Sequence, residues 1–303
     1  MTIATDTTTR RDDAYPSRIH PRPHLQDRLD PVVYGDEADG PLRADHLRRY
    51  EQFGYLVFER MFSAEEVERL ARALEDLRAS PQTKERPEVI TEPDSGETRS
   101  IFAVHELDHP LSRVCTEPRV VEIARQLLGG DVYIHQSRVN YKRGFRGKEF
   151  YWHSDFETWH VEDGMPRMRA VSCSISLTDN TPHNGPLLLI PGSHKTFVSC
   201  VGATPDKHFE QSLKRQEYGV PDDASLAWLA ERGGVEAALG PAGSVTFFEC
   251  NAMHGSNSNI TPFPRSNCFV VFNHTGNALV EPFCGLDPRP EYIATRGPVR
   301  PVG

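Results

Sequence analysis

The chain has 303 residues, of which 25% are charged, and its formal net charge is −9. That balance makes phosphate backbones and anionic membrane surfaces poor partners, and no apolar run approaches the length of a membrane span, so the expected ligand is a small polar molecule and neither nucleic acid nor membrane. The N-terminus has no apolar h-region and the six cysteines are widely spaced with no CxxC pair, which leads us to expect no secretory signal, no disulfide framework and a reduced cytoplasmic setting.

Residues 1–40 are rich in Thr, Pro, Arg and Asp and lack apolar period, and they read as an extended arm laid over the surface of a single domain spanning 41–303. Pro41 is expected to open a helix through Tyr50, because proline suits the first helical turn. Residues 54–59 (GYLVFE) read as a strand. Ser63 and Glu66 form a capping box with Phe62 and Val67 as its staple, and the helix that follows places Val67, Leu70, Ala71, Leu74 and Leu77 on one stripe. A third helix after Thr116 turns Val120, Ile123, Ala124, Leu127 and Leu128 inward and stops at Gly129.

After Gly130 the apolar period changes to two. Strands are expected over 132–142, 168–178, 187–190, 244–250 and 267–274, with a helical insert over 224–231. Short strands after a helical layer predict a mainly β fold with α, a double-stranded β-helix (jelly-roll) core with the N-terminal helices outside. In 132–142, one face reads Val132, Ile134, Gln136, Arg138, Asn140, Lys142, which suits either a solvated face or a polar barrel lining. In 168–178, Val171, Cys173, Ile175 and Leu177 make a core face. The opposite face, Ala170, Ser172, Ser174 and Ser176, either leaves room for a ligand or marks an edge strand facing water.

The densest chemical signal is 150–172, FYWHSDFETWHVEDGMPRMRAVS. His-x-Asp alone is weak, since roughly one match is expected by chance in a chain of this composition. Here His153 and Asp155 lie two apart, which in an extended segment turns both to one side. His254 follows a strongly apolar strand in a turn-like segment, and Arg265 follows at the start of the last strand, where a guanidinium can hold a carboxylate through two parallel hydrogen bonds. Two imidazoles and one carboxylate occupy one face of a metal and leave the other open, as a non-haem Fe(II) oxygenase requires. His160, His194, His208 and His274 compete as ligands but lack this ordered set, and zinc also accepts His and carboxylate.

The order His153-x-Asp155, NGPLLLIPGSH (184–194), His254 and Arg265 resembles the phytanoyl-CoA hydroxylase-like superfamily of Fe(II)/2-oxoglutarate dioxygenases, over roughly residues 45–285. Within it, the 150–172 stretch is similar to the signature of the ectoine hydroxylases. That resemblance implies a jelly-roll enzyme, a cytoplasmic homodimer, that hydroxylates ectoine and turns 2-oxoglutarate and O2 into succinate and CO2. It implies His153, Asp155 and His254 as iron ligands. Arg265, helped by Asn140, Ser174 and Ser256, would bind 2-oxoglutarate, and Gln136 and Trp159 would contact ectoine. It also implies hydroxylation rather than halogenation, because Asp155 fills the position that halogenating relatives leave open for chloride. The residues agree: ectoine is a small zwitterion with a cationic ring, and an indole face attracts a cation by about 0.5–2 kcal/mol. The competing expectations are a sister dioxygenase for another small amino acid, a metal-free jelly-roll binding protein and a zinc hydrolase.

Overall fold

The computed structural model describes residues 13–92, 96–213 and 218–303; the first twelve residues of the expected arm lie outside them. The described strands are β1 (His24–Asp27), β2 (Tyr55–Phe58), β3 (Val89–Thr91), β4 (Thr98–Phe102), β5 (Val132–Lys142), β6 (Phe150–His153), β7 (Ala170–Ser176), β8 (Leu187–Leu189), β9 (Thr196–Ser199), β10 (Glu236–Ala238), β11 (Val245–Glu249), β12 (His254–Ser256) and β13 (Arg265–His274). The helices are α1 (Ala44–Phe53), α2 (Ala64–Ala79), α3 (Pro81–Lys84), α4 (Pro118–Leu128), α5 (Asp155–Thr158), α6 (Phe209–Ser212) and α7 (Asp223–Gly233).

The strands pair antiparallel into a seven-stranded sheet, β2-β11-β7-β13-β5-β4-β3, and a four-stranded sheet, β10-β8-β12-β6. Two such sheets facing one another are the expected jelly roll. Helices α1, α2 and α4 cover the outer face of the large sheet. Their apolar side chains, Tyr50, Val67, Leu74, Val120, Ile123, Ala124, Leu127 and Leu128, share one cluster with Leu56, Val139, Val171, Cys173, Ile175, Phe247, Val270 and Phe272. The helix ends are built as the residues dictate. Glu66 N–H donates to Ser63 Oγ at 3.3 Å, Glu66 Oε2 accepts from Ser63 N–H at 2.7 Å, and Gly129 ends α4 at φ 67. On α2 the buried alanine is Ala73, and Ala71 is only half-buried.

Three expectations need correction. First, α1 begins at Ala44, not at Pro41. The buried Gln126 side chain holds Leu42 extended by accepting from its N–H (2.6 Å) and donating to its carbonyl (2.9 Å), so the chain turns helical only afterwards. Second, the arm does not simply lie on the surface. Its β1 pairs with β9, and Tyr15, Ser17 and Arg18 go inward. Third, β5 does not keep one face. Its pairing with β13 slips between Val271, opposite Gln136, and Phe272, opposite Ile134, which leaves His135 as an extra residue. This β-bulge resets the alternation. Val132 and Ile134 join the outer apolar cluster, whereas Gln136, Arg138 and Asn140 lie opposite Val271, Phe269 and Asn267. The lower half of β5 is the polar lining that one of the two readings anticipated, and Gln136, Asn140 and Lys142 are all buried.

Strand β7 is central, between β11 and β13, so the edge-strand reading is excluded. Its serine face is buried as well, with Ser172, Ser174 and Ser176 at 2% exposure or less. Among the described residues no helix is long and apolar enough to cross a membrane.

Candidate metal centre and the pocket beside it

His153 ends β6, and His254 begins β12. The two strands are neighbours, and these two residues are direct partners in the antiparallel register. Facing residues on antiparallel strands hold their side chains close, and the two imidazole centroids stand 4.3 Å apart. His254 is therefore a strand residue, not part of a turn, and this register is why ligands a hundred positions apart in sequence meet. Asp155 arrives differently from expectation. The chain leaves β6 at His153 and starts α5 at Asp155, so the pair straddles a strand-to-helix corner instead of one extended face. The corner is tied down by the Phe156 N–H donating to the Cys250 carbonyl at 2.8 Å.

One ligand atom from each of His153, Asp155 and His254 lies within 4.8 Å of the others, with His153 Nε2 3.7 Å from Asp155 Oδ1 and His254 Nε2 3.8 Å from Asp155 Oδ2. Both imidazoles meet a backbone carbonyl through Nδ1, that of Tyr151 at 2.6 Å and that of Ala252 at 2.9 Å. A carbonyl only accepts, so Nδ1 carries the proton and each Nε2 presents a lone pair toward Asp155. Burial pushes the His153 imidazole down to about 4, helped by His254 and opposed by Asp155, which keeps it neutral and able to ligate. Burial works against ionisation of Asp155, but the two imidazoles, Arg138 and the Ser172 hydroxyl outweigh it, and the carboxyl sits below its ordinary range. Ser172 Oγ donates to Asp155 Oδ2 at 3.2 Å from the small-residue face of β7. The donor set fits a divalent metal that keeps an open face, as ferrous iron does in oxygenases.

The competing histidines are engaged elsewhere. His160 bonds Asp13 and the Met165 carbonyl and stacks on Phe283, His208 bonds Glu162, His194 meets the Glu51 carbonyl, and His274 accepts from Gly276 N–H. Among the described residues the His153–Asp155–His254 group is the one set of three His, Cys, Asp or Glu within such reach.

Arg265, Asn140, Ser174 and Ser256 come together on β13, β5, β7 and β12. Arg265 Nη1 donates to Asn267 Oδ1 at 3.3 Å, Asn267 donates to Ser174 Oγ at 3.0 Å, and Asn140 Oδ1 accepts from Ser100 Oγ at 2.8 Å. The Arg265 guanidinium is 4% exposed, forms none of the described ion pairs, and its Nε has no acceptor. Burial alone lowers it to about 10. A guanidinium buried this way lacks the acceptors that an anion would supply.

Sequence reasoning passed over Lys142. It ends the inner run of β5, is 3% exposed, and its Nζ donates to Ser256 Oγ at 2.8 Å and to the Asn257 carbonyl. Burial, then the positive charges of Arg265 and Arg99, push its ammonium down to about 6. The available signal was its place on the same face as Gln136 and Asn140. Gln136 donates to the Ile293 carbonyl at 2.7 Å and accepts from Arg138. Trp159 opens a single π-helical turn (Trp159–Asp163) and meets His135 edge-on at 5.1 Å, within a cluster that includes Phe156, Met165 and Val271. Such turns are frequent at functional sites.

A family model described as phytanoyl-CoA dioxygenase (PhyH) matches residues 50–267. The ectoine dioxygenase of Stutzerimonas stutzeri (strain A1501) is 56% identical over 291 residues, 96% of each chain. A crystal structure of EctD from S. alaskensis with 2-oxoglutarate and 5-hydroxyectoine matches with a TM-score of 0.87 at 49% identity, covering 96% of this chain and 97% of that one. A second structure of that protein, with bound Fe, matches with a TM-score of 0.86 at 48% identity over 96% and 97%.

Proposed function

This chain belongs to the phytanoyl-CoA dioxygenase family, and we infer that it is a non-haem Fe(II)- and 2-oxoglutarate-dependent dioxygenase that hydroxylates ectoine to 5-hydroxyectoine, a step in making an osmolyte. The observation that carries this reading is the convergence of His153, Asp155 and His254 between the sheets, in a chain alike over nearly its whole length to ectoine dioxygenases. Those three side chains would hold the iron. Held there, ferrous iron supplies the oxidising chemistry, in which 2-oxoglutarate and O2 yield succinate and CO2 and one oxygen atom enters an ectoine C–H.

The remaining work belongs to the protein. Arg265 offers a fork that matches a carboxylate, and its unpaired Nε supports a role in binding the far carboxylate of 2-oxoglutarate. Lys142 adds a second cation, which an incoming dianion would hold protonated. Asn140, Ser174 and Ser256 surround these cations with short polar groups that orient the cosubstrate. Gln136 and the Trp159 ring would hold ectoine, the amide by hydrogen bonding and the indole by attraction to the cationic ring. Ser172 steadies Asp155, and the carbonyls behind the imidazoles fix their tautomers.

The fitting assembly is a cytoplasmic homodimer. All six cysteines are free, which suits a reducing compartment. Phe145, Ile260 and Phe263, on two loops bridged at Gly147 and Asn259, are 65%, 79% and 67% exposed and offer an apolar patch to a second copy. Light scattering on the purified chain tests that assembly. Residues 41–303 form the catalytic domain in this reading, and residues 1–40 are an arm attached to it. The test of function is direct: iron-loaded protein with 2-oxoglutarate is expected to release succinate faster when ectoine is added, with 5-hydroxyectoine as product. A panel of other small amino acids that stimulates turnover where ectoine does not would replace the substrate.

A further inference from the structure

The arm sends one charged side chain into the interior. Arg18 has φ 61, a left-handed conformation that non-glycine residues adopt at a penalty, and it is 7% exposed. Its backbone N–H donates to the Cys200 carbonyl at 3.0 Å. The guanidinium forks onto Glu157, Nε to Oε1 at 3.0 Å and Nη2 to Oε2 at 2.7 Å, and Nη1 reaches Glu162 Oε1 at 2.7 Å. Ser17 Oγ donates to Glu157 Oε1 at 2.6 Å. Gly219 closes over the pair: a Cβ there would lie 2.4 Å from Arg18 Nη2 and 2.5 Å from Glu157 Oε2.

These two glutamates are not arbitrary partners. Glu157 lies two residues after Asp155, in α5, and Glu162 lies three residues after Trp159, in the π-helical turn. One guanidinium thus grips both ends of the segment that carries the metal ligand Asp155 and the buried Trp159 ring. Thr204 and His208, which Arg18 and Glu162 also bond, belong with Glu162 to the wall of a cavity of about 250 Å3. Burying one arginine with two carboxylates is poor value for stability, because desolvation offsets much of the attraction. Such a cluster does fix direction, since a bidentate fork tolerates little rotation.

We propose that Arg18 is a positioning residue for the hydroxylation: it holds the turn 155–163 at the setting that aims Asp155 and Trp159 between the sheets, so that oxidation is coupled to substrate. This rests on the reading given above under "Proposed function". An oxidant generated beside a badly placed substrate still consumes 2-oxoglutarate but delivers less product, and a displacement of about 1 Å in such a site changes rates by up to about a hundredfold.

The experiment compares full-length wild type with Arg18→Lys, which keeps the charge and loses the fork, and with Glu162→Gln. Succinate and hydroxylated ectoine are measured separately in the same reaction, and hydrogen exchange is followed in the iron-free proteins. Ectoine-stimulated succinate release by the wild type checks the functional reading independently of the variants. Expected for both variants are a product-to-succinate ratio lowered on the order of tenfold, a KM for ectoine raised more than that for 2-oxoglutarate, and faster exchange across 155–163 with β5 and β13 still protected. A wild-type ratio in both variants would overturn the proposal. So would a uniform loss of exchange protection with the ratio intact, because the cluster would then serve stability alone. Should Arg18→Lys fail to fold, Glu162→Gln decides by the same ratio.

Discussion

The two faces of the large sheet are equally buried and differently built. On the outer face, Val139, Val171, Ile175, Val270 and Phe272 share one apolar cluster with side chains of the covering helices. On the inner face of the same strands stand Gln136, Asn140, Lys142, Ser172, Ser174, Arg265 and Asn267, polar and also hidden from water. Arg265 Nε finds no acceptor there, and Lys142 is pushed far from its ordinary protonation. Burial of apolar groups is a stability device, whereas burial of incompletely satisfied polar groups marks a place reserved for a ligand. The difference between faces, and not burial itself, separates scaffold from site.

That contrast is easy to attack. The largest expected effect is on the inner face: Asp155→Ala removes the one acidic ligand and is expected to abolish hydroxylation, while the circular dichroism spectrum and the melting transition stay close to wild type. Activity retained by that variant would take Asp155 out of the metal site. On the outer face, Ile175→Ala opens a cavity under the helices and is expected to destabilise the fold by about 2–5 kcal/mol in urea titrations, with both KM values unchanged. A change in KM there would mean that the faces are not independent. Arg265→Gln leaves a carboxylate without its buried partner and is expected to weaken 2-oxoglutarate by about 2–4 kcal/mol, roughly 30- to 1,000-fold in KM, with little change in stability.

The smallest effect sharpens the comparison most. The Lys142 ammonium titrates at about 6 in the fold against 10.5 in an unfolded chain. Between those values the unfolded chain binds the proton and the folded one does not, so this group makes stability rise with pH across that window and fall as pH drops toward 6. Its slope is at most about 1.4 kcal/mol per pH unit. The wild type minus Lys142→Met difference, measured by urea unfolding at about pH 7 and about pH 9 without cosubstrate, is expected to carry that slope. Saturating 2-oxoglutarate is expected to flatten it, because the bound dianion keeps the lysine charged. No slope in either condition would place Lys142 in contact with solvent.

Much of this was readable from the letters, for reasons that can be named. The capping box at Ser63, the α4 stripe ending at Gly129 and the two faces of β7 rest on local rules: a side chain meets its own backbone, or a period repeats. The ligand triad was legible because its residue types are rare in that order. What was missed depends on partners far along the chain. Strands β1, β3, β4, β6, β9, β10 and β12 are three to five residues long and form because a neighbouring strand supplies hydrogen bonds, not because their own pattern demands it. Leu42 is held extended by Gln126, 84 positions away, and Arg18 meets Glu157 at a separation of 139. The bulge at His135 left no mark on the alternation of β5, since Val132, Ile134 and Gln136 follow one another as a regular strand would write them.

That single unmatched residue gives β5 two phases. Upstream of it, the odd-even pattern speaks to the helices; downstream, the same pattern speaks to the ligands. Without His135 the two halves would merge into one regular ribbon: Ile134 and Gln136 would follow one another opposite Phe272 and Val271, the first still outward and the second still inward. What such a deletion would take away is His135 itself, whose ring meets Trp159 edge-on at 5.1 Å and whose carbonyl accepts from the Thr295 N–H at 2.9 Å.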